Sequence, residues 1–171
     1  GRNTTSTLPT NEFYRYCITT TANCTGNTWT NLTSPSPAPG TVQAGGALIA
    51  FNSTDIYAMQ GNGLTGFWKF TVNNAATGDG TWTDLSSTDP TPAPVQSGGA
   101  LTTDGTYIYA TRGANTNAFW KFNPAAGAGS RWTVLNTTPV NIGSSAINTT
   151  TQGGIAYSST LGDIFAVPGN G

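Results

Sequence analysis

Along this chain, apolar and aromatic residues come in short alternating or β-branched runs, and each run ends in Gly, Pro, Asn, Asp, Ser or Thr. Alternation over about 4–8 residues between turn formers predicts strands rather than helices. The pattern predicts twelve strands, over 12–17, 27–33, 45–51, 55–60, 67–72, 81–86, 98–103, 106–111, 118–123, 131–136, 153–158 and 163–167. Residues 1–11 are polar and Thr-rich and read as an arm. The Pro-rich stretches 34–40 and 90–94 read as connectors, because proline cannot donate to a sheet ladder. One such stretch alone would suit a polyproline ligand, but its recurrence between the same two strands favours the connector. A longer connector covers 139–152.

The runs repeat as text. Gly45-Gly46-Ala47-Leu48 returns as Gly98-Gly99-Ala100-Leu101 and, loosely, as Gly153-Gly154-Ile155-Ala156. Ile56-Tyr57-Ala58 returns as Ile108-Tyr109-Ala110 and Ile164-Phe165-Ala166. Phe13-Tyr14-Arg15-Tyr16 returns as Phe67-Trp68-Lys69-Phe70 and Phe119-Trp120-Lys121-Phe122, and Trp29-Thr30-Asn31-Leu32 as Trp82-Thr83-Asp84-Leu85 and Trp132-Thr133-Val134-Leu135. Four strand-like runs in a period of about 50 residues predict an all-β array of four-stranded antiparallel blades, as in a β-propeller.

The order GGAL, IYA with a following glycine, FWKF, WTxL resembles the kelch-type repeat of β-propellers and covers almost all of residues 12–171. It departs in carrying one glycine after the second strand (Gly61, Gly113, Gly169) where that family has two. The resemblance implies strands that run from a central channel outward. Laid on this sequence, that order gives the third and fourth strands of one blade over 12–33, whole blades over 45–86 and 98–136, and the first and second strands of another over 153–167. The two outer fragments are complementary halves. Three blades are fewer than the four to eight of a closed propeller, and an uncovered edge strand invites pairing with another chain. The expected assembly edge comprises Phe13, Tyr14, Tyr16, Ile164, Phe165 and Val167. A longer propeller, a ring of two copies and an open filament all satisfy that edge.

Composition narrows the partners. Only 8% of residues are charged and the net charge is −1, so nothing offers a basic footprint to nucleic acid. No run of about 18 apolar residues predicts a membrane-spanning helix. The only methionine is Met59, so the expectation is that a leader has been removed or that this is a piece of a longer chain. Cys17 and Cys24 flank the expected turn between an aromatic strand and a Trp strand, where a cross-strand disulfide is plausible, with a free thiol pair or a metal site as the alternatives. Two sulfurs without histidine make a poor metal cage, and a disulfide implies an oxidising compartment. Six Asn-x-Thr sequons, at Asn3, Asn23, Asn31, Asn52, Asn136 and Asn148, are candidate glycosylation sites and point to a secreted surface.

Catalysis has little to stand on. The chain has no histidine, which removes the usual general base, the serine and cysteine triads and the commonest metal ligand. Some kelch-type propellers are copper oxidases that bind metal through His and Tyr; the resemblance carries no such site here. The seven acids (Glu12, Asp55, Asp79, Asp84, Asp89, Asp104, Asp163) are scattered, without an Asp-x-Asp-x-Asp-Gly calcium run. Asp55, Asp104 and Asp163 fall near the start of the second strand of each unit, which suggests turn chemistry. No catalytic residue, metal or cofactor is expected. The repeated aromatics have two readings: packing between stacked blades, or, at Trp68, Trp120 and Tyr14, a stacking platform for sugar rings. Lys69, Lys121 and Arg15 recur at one position, with stems expected over aromatic rings. The expected function is an extracellular structural unit that assembles with copies of itself into a ring or filament by completing split blades; the alternative is a carbohydrate-binding, lectin-like propeller used in adhesion.

Overall fold

The computed structural model describes residues 10–34, 36–114, 116–138 and 154–167. Among these, all regular structure is β: β1 (Tyr14–Cys17), β2 (Thr28–Asn31), β3 (Ala47–Ala50), β4 (Asp55–Met59), β5 (Phe67–Val72), β6 (Gly80–Asp84), β7 (Ala100–Thr103), β8 (Ile108–Thr111), β9 (Phe119–Phe122), β10 (Trp132–Val134), β11 (Gly154–Ser158) and β12 (Asp163–Val167). They form four antiparallel sheets: β1-β2, β3-β4-β5-β6, β7-β8-β9-β10 and β11-β12. Each expected run is a strand, trimmed at one or both ends in most cases.

The trimming has local causes. The first glycine of the first two pairs adopts positive φ (Gly45 at 86°, Gly98 at 89°) and forms the turn into the strand instead of joining it. Gly61 and Gly113, after the second strand, also have positive φ, and a Cβ on either would collide with backbone carbonyls of the turn before the first strand. One glycine suffices at this close approach. Asn52 and Asp104 close the turn between first and second strands, each side chain accepting two backbone amides. Asp104 therefore holds the turn position that Asn52 holds one repeat earlier, whereas Asp55 and Asp163 open strands; the three acids expected to be equivalent are not.

The sheets stack face to face. The register Leu48–Ala58–Trp68 places these residues, with Phe70 and Trp82, on one face of β3-β6. Tyr57, Met59 and Phe67 lie on the other and join Leu101, Ile108, Ala110, Trp120 and Phe122 of β7-β10 in a continuous core. Phe13, which leads into β1, packs on Phe70 and Trp82. At the other end β11 lies against β7, as β7 lies against β3, and the Tyr157 amide donates to the Thr102 hydroxyl at 3.0 Å.

Connectors lock neighbouring sheets. The Trp82 indole N–H donates to the Ser36 carbonyl and the Trp132 indole to the Asp89 carbonyl, each at 3.1 Å. Asp89 is buried, and its carboxylate accepts from Arg131 Nη1 at 2.7 Å and from the Gly129 amide at 2.9 Å. A buried carboxylate is tolerated only with such pairing.

Candidate assembly edges

Equivalent positions of the repeat meet unequal fates. Leu101 is 8% exposed, while Leu48, at the same place in its sheet, is 57% exposed. Trp68 and Trp120 are each 2% exposed, while their counterpart Tyr14 is 44% exposed. Tyr57 and Met59 are buried, while their counterparts Phe165 and Val167 are 54% and 62% exposed. The cause is geometric. The sheet β1-β2 lies against the β5-β6 half of its neighbour, through Phe13 on Phe70 and Trp82. The β3-β4 half carries instead an open groove of about 210 Å³, lined by Phe13, Ala38, Val42, Leu48, Ala58 and Trp68 among others. β11-β12 turns Ile155, Tyr157, Ile164 and Ala166 inward, half-buried, and leaves Ala156, Phe165 and Val167 outward.

Among the described residues no strand pairs with the outer edge of β1 or of β12. Of the residues expected at that edge, Tyr14, Tyr16, Phe165 and Val167 are exposed. Phe13 and Ile164 are partly buried, Phe13 through its packing on Phe70 and Trp82. The loose textual match of Gly153-Gly154-Ile155-Ala156 is offset by one residue. Ile155 pairs with Ala166 as Leu48 pairs with Ala58, so Ile155 takes the leucine's place. Gly153 and Gly169 lie outside the described residues.

Cys17 and Cys24 are joined by a disulfide with Cα atoms 6.0 Å apart. It is not a bridge between two strands: Cys17 ends β1, Cys24 lies in the loop before β2, and Thr28 is the cross-strand partner of Cys17. An all-β chain with a disulfide is consistent with secretion. Among the sequons, Asn23, Asn31, Asn52 and Asn136 are exposed, while Asn3 and Asn148 lie outside the described residues. The sugar-stacking reading loses two of its three residues, since Trp68 is buried against the connector residues Ala38 and Val42, Trp120 is buried between sheets, and only Tyr14 presents a ring.

The recurring cations diverge. Lys69 Nζ lies 3.8 Å from Asp55, and Lys121 Nζ lies 4.3 Å from the centre of the Tyr107 ring. Arg15 Nη1 donates to the Ala76 carbonyl at 3.2 Å, and its Nε is buried without a partner. Burial, with Asp55 nearby, pushes the Tyr57 hydroxyl up to about 12 despite the opposing Arg131. Burial and the hydrogen bond to Asp104 push Tyr109 up to about 12. Burial alone would raise Asp104, but the Tyr107 and Thr106 amides and the Tyr109 hydroxyl outweigh it and hold this carboxyl below its ordinary value. Asp104 closes a turn with Tyr109 bonded to it, and Tyr57 belongs to the core; among the described residues no three His, Cys, Asp or Glu side chains cluster as a metal site would need. No protein-family model matches the chain, and no curated protein matches it.

Proposed function

We propose that this chain is an extracellular structural unit of kelch-like propeller type, which assembles with copies of itself by completing split blades. The observation that carries the reading is the pair of two-stranded sheets, each with an edge unpaired among the described residues, beside an open groove on β3-β4. In both four-stranded sheets the second and third strands share one register, Ala58 opposite Trp68 and Ala110 opposite Trp120. The same register sets Ala166 of a second copy opposite Tyr14. A sheet β11-β12-β1-β2 results, and Phe165 and Val167 of that copy then fall over Leu48 and Ala58. Backbone pairing supplies the affinity and the apolar groove the specificity. Each copy contributes two whole blades and two halves, so two copies make six, within the four to eight that close. If the rotation does not close, the same contact gives a filament. Glycans at exposed sequons would keep the outer surface hydrated, and intact-mass measurement of protein from a eukaryotic secretion host checks for them.

The test is directed cross-linking. Copies carrying Tyr14→Cys are mixed with copies carrying Ala166→Cys under mild oxidation. Facing Cα atoms in a hydrogen-bonded antiparallel pair lie about 5.5 Å apart, within the reach of a disulfide. A covalent dimer is expected from the mixture and from neither variant alone. Association that persists without this cross-link would overturn the pairing. Tyr14, Tyr16 and Trp29 also form an exposed aromatic surface, and saturable binding on a glycan array would favour the lectin-like reading instead.

A further inference from the structure

A single aromatic device joins the sheets and occurs twice within the chain. Phe13 packs edge-on against Phe70 and Trp82, with centroids 4.9 and 5.1 Å away. One repeat later Phe67 packs edge-on against Phe122 and Trp132, at 4.8 and 4.9 Å. In each case the receiving pair is preassembled on its own sheet. Phe70 and Trp82 are 5.1 Å apart, and Phe122 and Trp132 are 5.0 Å apart, as cross-strand neighbours. The phenylalanine that opens the third-strand motif of one sheet thus enters a clasp made by the third and fourth strands of the next.

The same clasp stands a third time, with no ring in it among the described residues. Tyr16 and Trp29 are cross-strand neighbours in β1-β2 with centroids 5.0 Å apart, and they are 42% and 69% exposed. The matching phenylalanine also exists a third time. Phe119 in β9 occupies the place of Phe13 and Phe67, is half-buried, and among the described residues stacks only on Tyr109 of its own sheet, at 6.0 Å. We infer that Phe119 of a second copy enters the Tyr16–Trp29 clasp. The inference rests on the split-blade reading, since β11 of that copy lies against β7 of the same four-stranded sheet that carries Phe119 in β9. Completing β1-β2 with that hairpin brings Phe119 to the clasp, on the face opposite to Phe13. The occupant is this chain, because the geometry asked of it is one the chain makes twice internally. Edge-to-face aromatic contacts favour this arrangement over a flat sandwich.

The test is a double-mutant cycle on the association constant, measured by sedimentation with Phe119→Leu and Trp29→Ala, alone and together. Phe119→Leu keeps apolar bulk in β9, and Trp29 is exposed, so both variants are expected to fold; circular dichroism and urea unfolding verify it. Each single change is expected to weaken association about tenfold, and the pair together only about 10–20-fold, because the second substitution acts on a contact already lost. A double variant weakened about 100-fold would mean that the two rings do not meet, and would overturn this inference while leaving split-blade assembly standing. A wild-type chain that never associates would overturn both.

Discussion

Leu48 and Leu101 offer a test in which chemistry and repeat position are constant and only the covering differs. Each is the second residue of its strand, opposite an alanine of the next strand, Ala58 or Ala110. Leu101 lies in the core with Ala110 and Trp120, whereas Leu48 is more exposed than not. Removing a buried leucine to alanine costs about 2–5 kcal/mol, part of it lost transfer energy and part the cavity. Leu101→Ala should therefore destabilise the lone chain by about 3 kcal/mol. Leu48 has less than half its side chain covered, so Leu48→Ala should cost the lone chain about 1 kcal/mol. The remaining apolar surface is removed from water only when a second copy covers the groove. Losing it should weaken association by about a further 1 kcal/mol, roughly fivefold in Kd. Urea unfolding followed by tryptophan fluorescence measures the first pair of numbers, at a concentration where light scattering gives a monomer. Sedimentation at higher concentration measures the last. Equal costs for the two substitutions in the monomer would show that Leu48 is covered within its own chain, and the reasoning would fail.

Three further outcomes follow from single interactions. Asp89→Ala should cost about 3 kcal/mol in urea unfolding, because it strands Arg131 and two backbone amides; a cost under about 1 kcal/mol would show that solvent replaces the carboxylate. Replacing Cys17 and Cys24 by serine should cost about 2–3 kcal/mol through restored loop entropy, read as an earlier urea midpoint, and no shift would mean that the loop is not constrained in the unfolded chain. Tyr57 and Tyr109 have hydroxyls raised to about 12, so the folded state favours their neutral form. That contribution is fully present below the unfolded value near 10 and is lost as pH rises through about 12. Phenolate absorbance should therefore still be rising in that range, and a titration already complete near pH 10 without unfolding would contradict it.

The strand layout was legible because each strand announces itself several times. A pattern such as Phe-Trp-Lys-Phe is weak evidence once, but recurring at the same distance from Trp-Thr-x-Leu it sets both strand and order. The division into two whole sheets and two halves followed from the phase of those repeats. Side-chain burial was less legible. Trp68 and Tyr14 are textual equivalents, yet one is buried and the other exposed, because burial depends on which neighbouring segment covers the ring, for Trp68 the connector with Ala38 and Val42. The indole bonds of Trp82 and Trp132 to connector carbonyls left no trace in the sequence, since any residue supplies a carbonyl. Asp89 read as one scattered acid among seven; only its packing against Arg131 reveals a lock between sheets. The offset at Ile155 was hidden for a similar reason. The glycine pair draws the eye, but cross-strand pairing to Ala166 fixes the register. The open clasp of Tyr16 and Trp29 could have been suspected from the text, because three phenylalanines and three aromatic pairs occur along a chain with only two internal junctions between them.

Sedimentation velocity across a concentration series tests the central claim most directly. Split edges that complete one another predict a reversible shift from the 17.6 kDa polypeptide to a species of twice that mass for a closed ring, or to a ladder of multiples for a filament. A well-folded chain that sediments as one 17.6 kDa particle at every concentration would contradict it.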